Sequence, residues 1–143
     1  MKVEQLSISL ESKAGSIVEI CDVLAGNGIN IRALSLSDSC PKGKMRVIVN
    51  DTKNARQVLT EFGFMVETTE VLVLEVPDKP GGLASVLQIL SDSGLTVDYL
   101  YAFAQRRGES GLIIFHLNSP DEAVKVLQKA GIRVLTPDEV SAV

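Results

Sequence analysis

The sequence predicts an α+β protein made of two copies of one βαββαβ unit, and three observations carry the prediction. The 143-residue chain matches itself at an offset of 66 residues that becomes 68 beyond a middle turn. Apolar residues alternate at period two in some stretches and recur at i, i+3, i+4, i+7 in others, in the same order in both halves. Glycines punctuate the two halves at corresponding places. Self-similarity of this kind marks one supersecondary assembly used twice.

Setting Lys13-Ala14-Gly15 against Lys79-Pro80-Gly81 brings Leu6 onto Leu72, Leu24 onto Leu90, Gly28 onto Gly94 and Leu34 onto Leu100. At the later offset Asn50 falls on Asn118, Ala55 on Ala123, Val58-Leu59 on Val126-Leu127 and Gly63 on Gly131. The second copy therefore holds two extra residues, expected in the turn at 105–111. The copies are expected at residues 1–69 and 70–143.

Each element follows from its pattern. In the first strand Leu6, Ile8 and Leu10 point one way and Ser7 and Ser9 the other. The first helix has an apolar face at Ile17, Ile20, Cys21 and Leu24, repeated at Leu83, Val86, Leu87 and Leu90. Gly28 and Gly94 end these helices, where a left-handed residue is needed. Strands follow at 29–37 and 95–104, a turn with Pro41 and Gly43 or with Gly108 and Gly111, then strands at 45–49 and 112–117. The second helix presents Ala55, Val58, Leu59 and Phe62, matched by Ala123, Val126, Leu127 and Ala130. Gly63 and Gly131 close it before last strands at 64–67 and 132–136, and Thr136-Pro137 breaks into a tail.

A βαββαβ unit of this size has one natural solution: four antiparallel strands with both helices on one face, the ferredoxin-like sandwich. Such small units are marginal alone, so the uncovered sheet face favours pairing. In the second copy Val71 and Val73 alternate with Leu72 and Leu74, making both faces of that strand apolar. Tyr99, Tyr101 and Phe103 share one face of the next strand, as an interface between units or as a wall against a ligand side chain.

Composition narrows the function. With 45% hydrophobic and 22% charged residues the chain can bury a core. A net charge of −4, with basic clusters only at Lys42–Arg46 and Arg106-Arg107, argues against a nucleic-acid partner. No apolar run is long enough to span a bilayer, and Met1-Lys2 leads straight into a strand pattern, so a cytoplasmic protein without a membrane partner is expected. Cys21 and Cys40 read as free thiols.

No enzymatic constellation is expected, and neither a metal site nor a cofactor. The single histidine, His116, sits on a strand between Phe115 and Leu117 and reads as a packing or surface residue, with ligand contact as the alternative. No Cys or His pair has metal-ligand spacing, and Lys79-Pro80-Gly81-Gly82 lacks the pattern of a phosphate loop. Asp121-Glu122 and Asp138-Glu139 read as helix-dipole partners and solvated charge.

The most informative segment is Pro77-Asp78-Lys79-Pro80-Gly81-Gly82-Leu83. Glycines let a ligand approach the backbone, and the helix start behind them offers N–H groups to a carboxylate. Asp78 suits an ammonium group, and a free amino acid carries both charges. Alternatively Asp78 caps the helix and the glycines serve the turn.

Asp78-Lys79-Pro80-Gly81-Gly82-Leu83, the amphipathic helix, Gly94 and Leu95-Thr96-Val97 together resemble the ACT-domain motif. The first copy has a weaker Ser12-Lys13-Ala14-Gly15-Ser16-Ile17 followed by a typical Gly28-Ile29-Asn30-Ile31. The resemblance covers nearly the whole chain twice and is nearest to small stand-alone bacterial proteins of two ACT modules. It implies regulatory binding of a free amino acid, modules paired side by side, and ligand at the seam between one module's loop and its neighbour's second strand. Carried onto this sequence, the binding residues are Ser12, Ala14, Gly15, Ile17, Asn30 and Ile31, and Asp78, Pro80, Gly81, Leu83, Thr96 and Val97. Ala14 departs from the usual Pro, Ser12 from Asp or Asn, and Thr96 from Asn, so one stronger site is expected between the Asp78 loop and the Asn30 strand. A homodimer and an amino-acid-metabolism enzyme are the expected protein partners. The other reading is a constitutive assembly subunit of such an enzyme, with a vestigial ligand loop.

Overall fold

The computed structural model describes residues 1–10, 16–37 and 43–143, and the side chains of all of these except 104–107. Its elements run β1 (Val3–Ser9), α1 (Ser16–Gly26), β2 (Ile31–Ser37), β3 (Lys44–Val49), α2 (Thr52–Glu61), β4 (Val66–Pro77), α3 (Gly82–Asp92), β5 (Val97–Arg107), β6 (Ser110–Leu117), α4 (Pro120–Lys129) and α5 (Pro137–Ser141). The chain forms two compact units, one of Glu4–Thr69 and one of Glu70–Val143 together with Met1–Val3. The expected α+β class and βαββαβ order are present, with the last strand of the second copy shortened to a bridge.

In the Glu4–Thr69 unit β3 lies between β1 and β2, antiparallel to each. The start of β4 flanks β1, where the Ser9 N–H donates to the Met65 carbonyl at 3.0 Å. Leu6 and Ile8 of β1 and Met45, Val47 and Val49 of β3 meet Ile20, Leu24, Ala55 and Leu59 in one buried cluster. Cys21 packs against its margin.

Two residues expected in this core are elsewhere. Ile17 is 40% exposed, because the buried stripe of α1 runs through Ser16, Ile20, Val23 and Leu24. Seven apolar residues on an 11-residue helix leave the direction of the stripe ambiguous, and packing selected Val23 over Ile17. Phe62 is 61% exposed. It is the C-cap of α2, with φ −82° and ψ 4°, so its backbone has left the helical path that would carry it onto the Ala55–Leu59 face.

In the second unit β6 lies between β4 and β5. Leu72, Leu74, Phe115 and Leu117 face Val86, Leu90, Ala123 and Leu127, with Leu83, Leu87 and Val126 at the margin. Ala130, expected on this face, is exposed as the C-cap of α4. On the other face Val71 and Val73 are buried, and Tyr99 and Tyr101 pair with His116 and Ile114 of β6.

The last strand expected at 132–136 is reduced to a bridge between Leu74 and Val134. The N–H groups of Glu75 and Leu135 donate to the carbonyls of Arg133 and Val73 at 3.1 and 2.9 Å. The expected tail is a helix: Thr136 and Glu139 form a capping box at the start of α5, and Val140 is buried.

The register reproduces the sequence repeat. Leu34 pairs with Val47 and Leu100 with Phe115; Ile31 pairs with Val49 and Val97 with Leu117. Each second strand has an irregularity just after its start, between Ile31 and Ala33 and between Val97 and Tyr99. The two extra residues of the second copy are absorbed earlier than expected. The pairing slips by two between Ala102↔Ile113 and Arg106↔Gly111, so they form a bulge within β5, and the turn stays tight around Gly108 (φ 61°).

Candidate functional site

The loop singled out by sequence leaves β4 at Pro77 and enters α3 at Gly82. The Asp78 N–H donates to the Glu109 carbonyl at 3.1 Å, which pins the loop to the β5–β6 turn. The Lys79 N–H donates to the Pro77 carbonyl at 2.9 Å, and the Gly82 N–H to the Lys79 carbonyl at 3.0 Å.

Both glycines are required. Gly81 has φ +85°, and a Cβ on Gly82 would lie 2.0 Å from the Pro77 carbonyl oxygen. Gly81, not Asp78, is the N-cap of α3, and it supplies no side-chain cap. The reading of Asp78 as the cap is thereby corrected. By contrast α2 is capped by Asp51, whose carboxylate accepts from the Asn54 N–H at 3.2 Å.

Beside the loop a cavity of about 440 Å³ is lined by Pro77, Asp78, Lys79, Glu109 and Ser110. That volume suits a small metabolite. Its lining holds two carboxylates, one ammonium and one hydroxyl, a mixed set that complements a molecule carrying both charges. Glu109 and Ser110 escaped the sequence reading, which treated the turn only as a connection. The length of the hairpin was the available signal, since it brings that turn to the end of β4.

The second-strand positions are held by a device present in both units. The side-chain oxygen of Asn50 accepts from the Asn30 N–H at 2.9 Å, and the Asn50 N–H donates to the Asn30 carbonyl at 3.2 Å. Asn118 does the same for Thr96, at 3.0 and 3.2 Å. Asn50 and Asn118 matched in the sequence, but their role as backbone clamps needed the register to be seen.

Ser12, Ala14 and Gly15 lie outside the described residues, as do Cys40 and Pro41. Asn30, Asp78, Pro80, Gly81 and Thr96 are exposed, while Ile31, Leu83 and Val97 are half-buried. Asp78, Pro80 and Gly81 share the β4–α3 connection, and Leu83 is the second residue of α3. Thr96 and Val97 are not brought to it within their own unit. Pro77 pairs with Ser110 and Val97 with Leu117, seven residues along β6, which is about 24 Å at ~3.4 Å per residue. The β–α–β path places a helix start and the following strand start at opposite ends of one sheet.

His116 is a packing residue. Its ring stacks on Tyr99 at 4.8 Å and 3°, and Nδ1 is 2.8 Å from the Asp98 carboxylate. Among the described residues no three His, Cys, Asp or Glu side chains are grouped to hold a metal ion. No described helix is long and apolar enough to cross a membrane.

A family model described as an ACT domain pair matches residues 1–143. The chain belongs to the ACT domain pair family. A crystal structure of a protein from Bacteroides thetaiotaomicron superposes with a TM-score of 0.93 at 32% identity, covering 100% of this ACT domain pair and 98% of that chain. The ligand-free regulatory subunit of aspartate kinase from Thermus thermophilus superposes at 0.62 with 14% identity, over 89% and 91% of the two chains. Aspartate kinase from Clostridium acetobutylicum gives 0.56 at 14%, with 90% of this chain matching 33% of that longer one. No curated protein matches. These likenesses establish the ferredoxin-like ACT fold.

Proposed function

We propose that this ACT domain pair is a regulatory protein that binds a free amino acid and does not itself catalyse a reaction. The observation that carries the reading is the β4–α3 loop. Two obligatory glycines open an uncapped helix start beside a cavity lined by Asp78, Lys79, Glu109 and Ser110. The first-turn N–H groups of α3 that follow Gly82, whose own N–H is held by the Lys79 carbonyl, donate to the ligand carboxylate, favoured by the partial positive charge of the helix start. Asp78 receives the ammonium group.

Because a module's own second strand starts far from its loop, the strand that completes the site comes from another module. Asn30 and Ile31 are the best matched residues for that part. Ser12, Ala14, Gly15 and Ile17 with Thr96 and Val97 form the weaker counterpart. Occupancy is read by an amino-acid-metabolism enzyme, as the relationship to regulatory subunits of aspartate kinase suggests. A homodimer in the cytoplasm completes the reading.

A thermal-shift screen of the twenty amino acids tests it. The cognate one should stabilise the protein by ~2.7 kcal/mol at a hundredfold excess over Kd. Calorimetry should then show affinity falling at least tenfold in Asp78→Ala and in Asn30→Ala. A screen in which no amino acid stabilises the protein would leave the constitutive assembly subunit as the better account.

A further inference from the structure

A second cavity lies away from the β4–α3 loop and is larger than the one there. It lies within the Glu4–Thr69 unit, a groove of about 620 Å³ along α1 lined by Val18, Glu19, Asp22, Val23, Asn27 and Phe62, with Gly26 at its end. Val18 is 63% exposed and Phe62 61%. A valine and a phenylalanine left this open to water in one groove mark a contact site.

The duplication supplies an internal control. At the positions of Val18 and Phe62 the second unit carries Ala84 and Ala130. Its backbone there is the same: Ala130 is a C-cap with φ −84° and ψ 1°, followed by Gly131 at φ 82°, as Phe62 is followed by Gly63 at φ 88°. The fold therefore needs neither the aromatic ring nor the Val18 side chain.

Charge selects the occupant. Glu19 and Asp22 are the charged groups of the lining, and α1 carries no Lys or Arg. The Asn27 amide is committed to the Val23 carbonyl at 2.8 Å. A second copy docked here about a two-fold axis would set Glu19 and Asp22 against themselves. An apolar floor with an acidic rim fits an amphipathic helix bearing a bulky apolar anchor with Lys or Arg beside it.

We infer that this groove docks a basic amphipathic helix of a partner protein, separately from amino-acid binding at the β4–α3 loop. Fluorescence anisotropy with a labelled 14-residue Leu/Lys helical peptide tests the assignment, using a Leu/Glu peptide of the same pattern as the control. The Leu/Lys peptide should bind the intact chain, and Phe62→Ala, which keeps the net charge, should weaken binding at least tenfold. Val18→Ala should weaken it severalfold, as should Asp22→Asn. Both alanines are the residues of the second unit, and a melting curve checks that the variants fold. Equal binding to Phe62→Ala and Val18→Ala would reduce the attraction to overall negative charge and overturn the assignment. So would absence of binding, or equal binding of the Leu/Glu peptide. A chain that sediments as a dimer and becomes monomeric in Phe62→Ala would give the groove to a second copy instead.

Discussion

At Gly82 the backbone leaves no room for a side chain, whereas at Gly94 a Cβ meets open space and only the φ of +73° is strained. The two glycines should therefore respond differently to alanine. Gly94→Ala is expected to cost about 1 kcal/mol, the strain of a left-handed residue. Gly82→Ala must displace the Pro77 carbonyl and is expected to cost on the order of 2–4 kcal/mol. Denaturant midpoints measure both, and equal costs would contradict the close approach. The asparagine clamps belong to the same scale. Asn50→Ala and Asn118→Ala each remove the acceptor of one backbone N–H, and should cost about 0.5–1.5 kcal/mol. Asp at either position keeps an acceptor oxygen and should recover most of that loss.

Among the elements, α5 depends on its cap more than on its length. Five residues cannot nucleate a helix alone, so the Thr136–Glu139 capping box and the burial of Val140 hold it. Arg133 adds contacts to Glu139 and, at 3.4 Å, to Glu75. Thr136→Ala should cost about 1 kcal/mol, with faster hydrogen exchange at 139–143 as its local signature. At the start of α4, the Asp121 carboxylate hydrogen-bonds and attracts the Lys2 ammonium at 3.2 Å, with Glu70 at 3.6 Å assisting, and raises the Lys2 pKa above 10.5. A raised lysine stabilises the fold fully below its unfolded pKa, and that contribution disappears as pH climbs through the folded value. NMR titration of the Lys2 side chain should show the upward shift, diminished in Asp121→Asn and at high salt.

Across the whole molecule the two units keep separate buried clusters although β4 runs unbroken through both. Leu59 and Leu127 hold matching places in those clusters, each fully buried. Leu59→Ala and Leu127→Ala should each cost about 2–5 kcal/mol. Native-state hydrogen exchange should quicken first in the mutated unit, within Glu4–Thr69 for Leu59 and within Glu70–Val143 for Leu127. Identical exchange patterns would mean that the units open as one.

Sequence alone determined the element order as far as α4, the duplication and most of each core, because strand and helix periods and glycine stops are local signals. It found Leu6, Ile20, Leu59, Leu72 and Leu127, and it isolated the Asp78–Leu83 loop. Only the tertiary structure decided which apolar residues face inward at helix ends. Ile17 and Phe62 have the right spacing, yet they lie where the packing direction or the backbone path departs from the helical period. The cap of α3, the bulge in β5 and the Asn50 and Asn118 clamps also needed the fold, since each depends on groups that strand pairing brings together from distant parts of the chain.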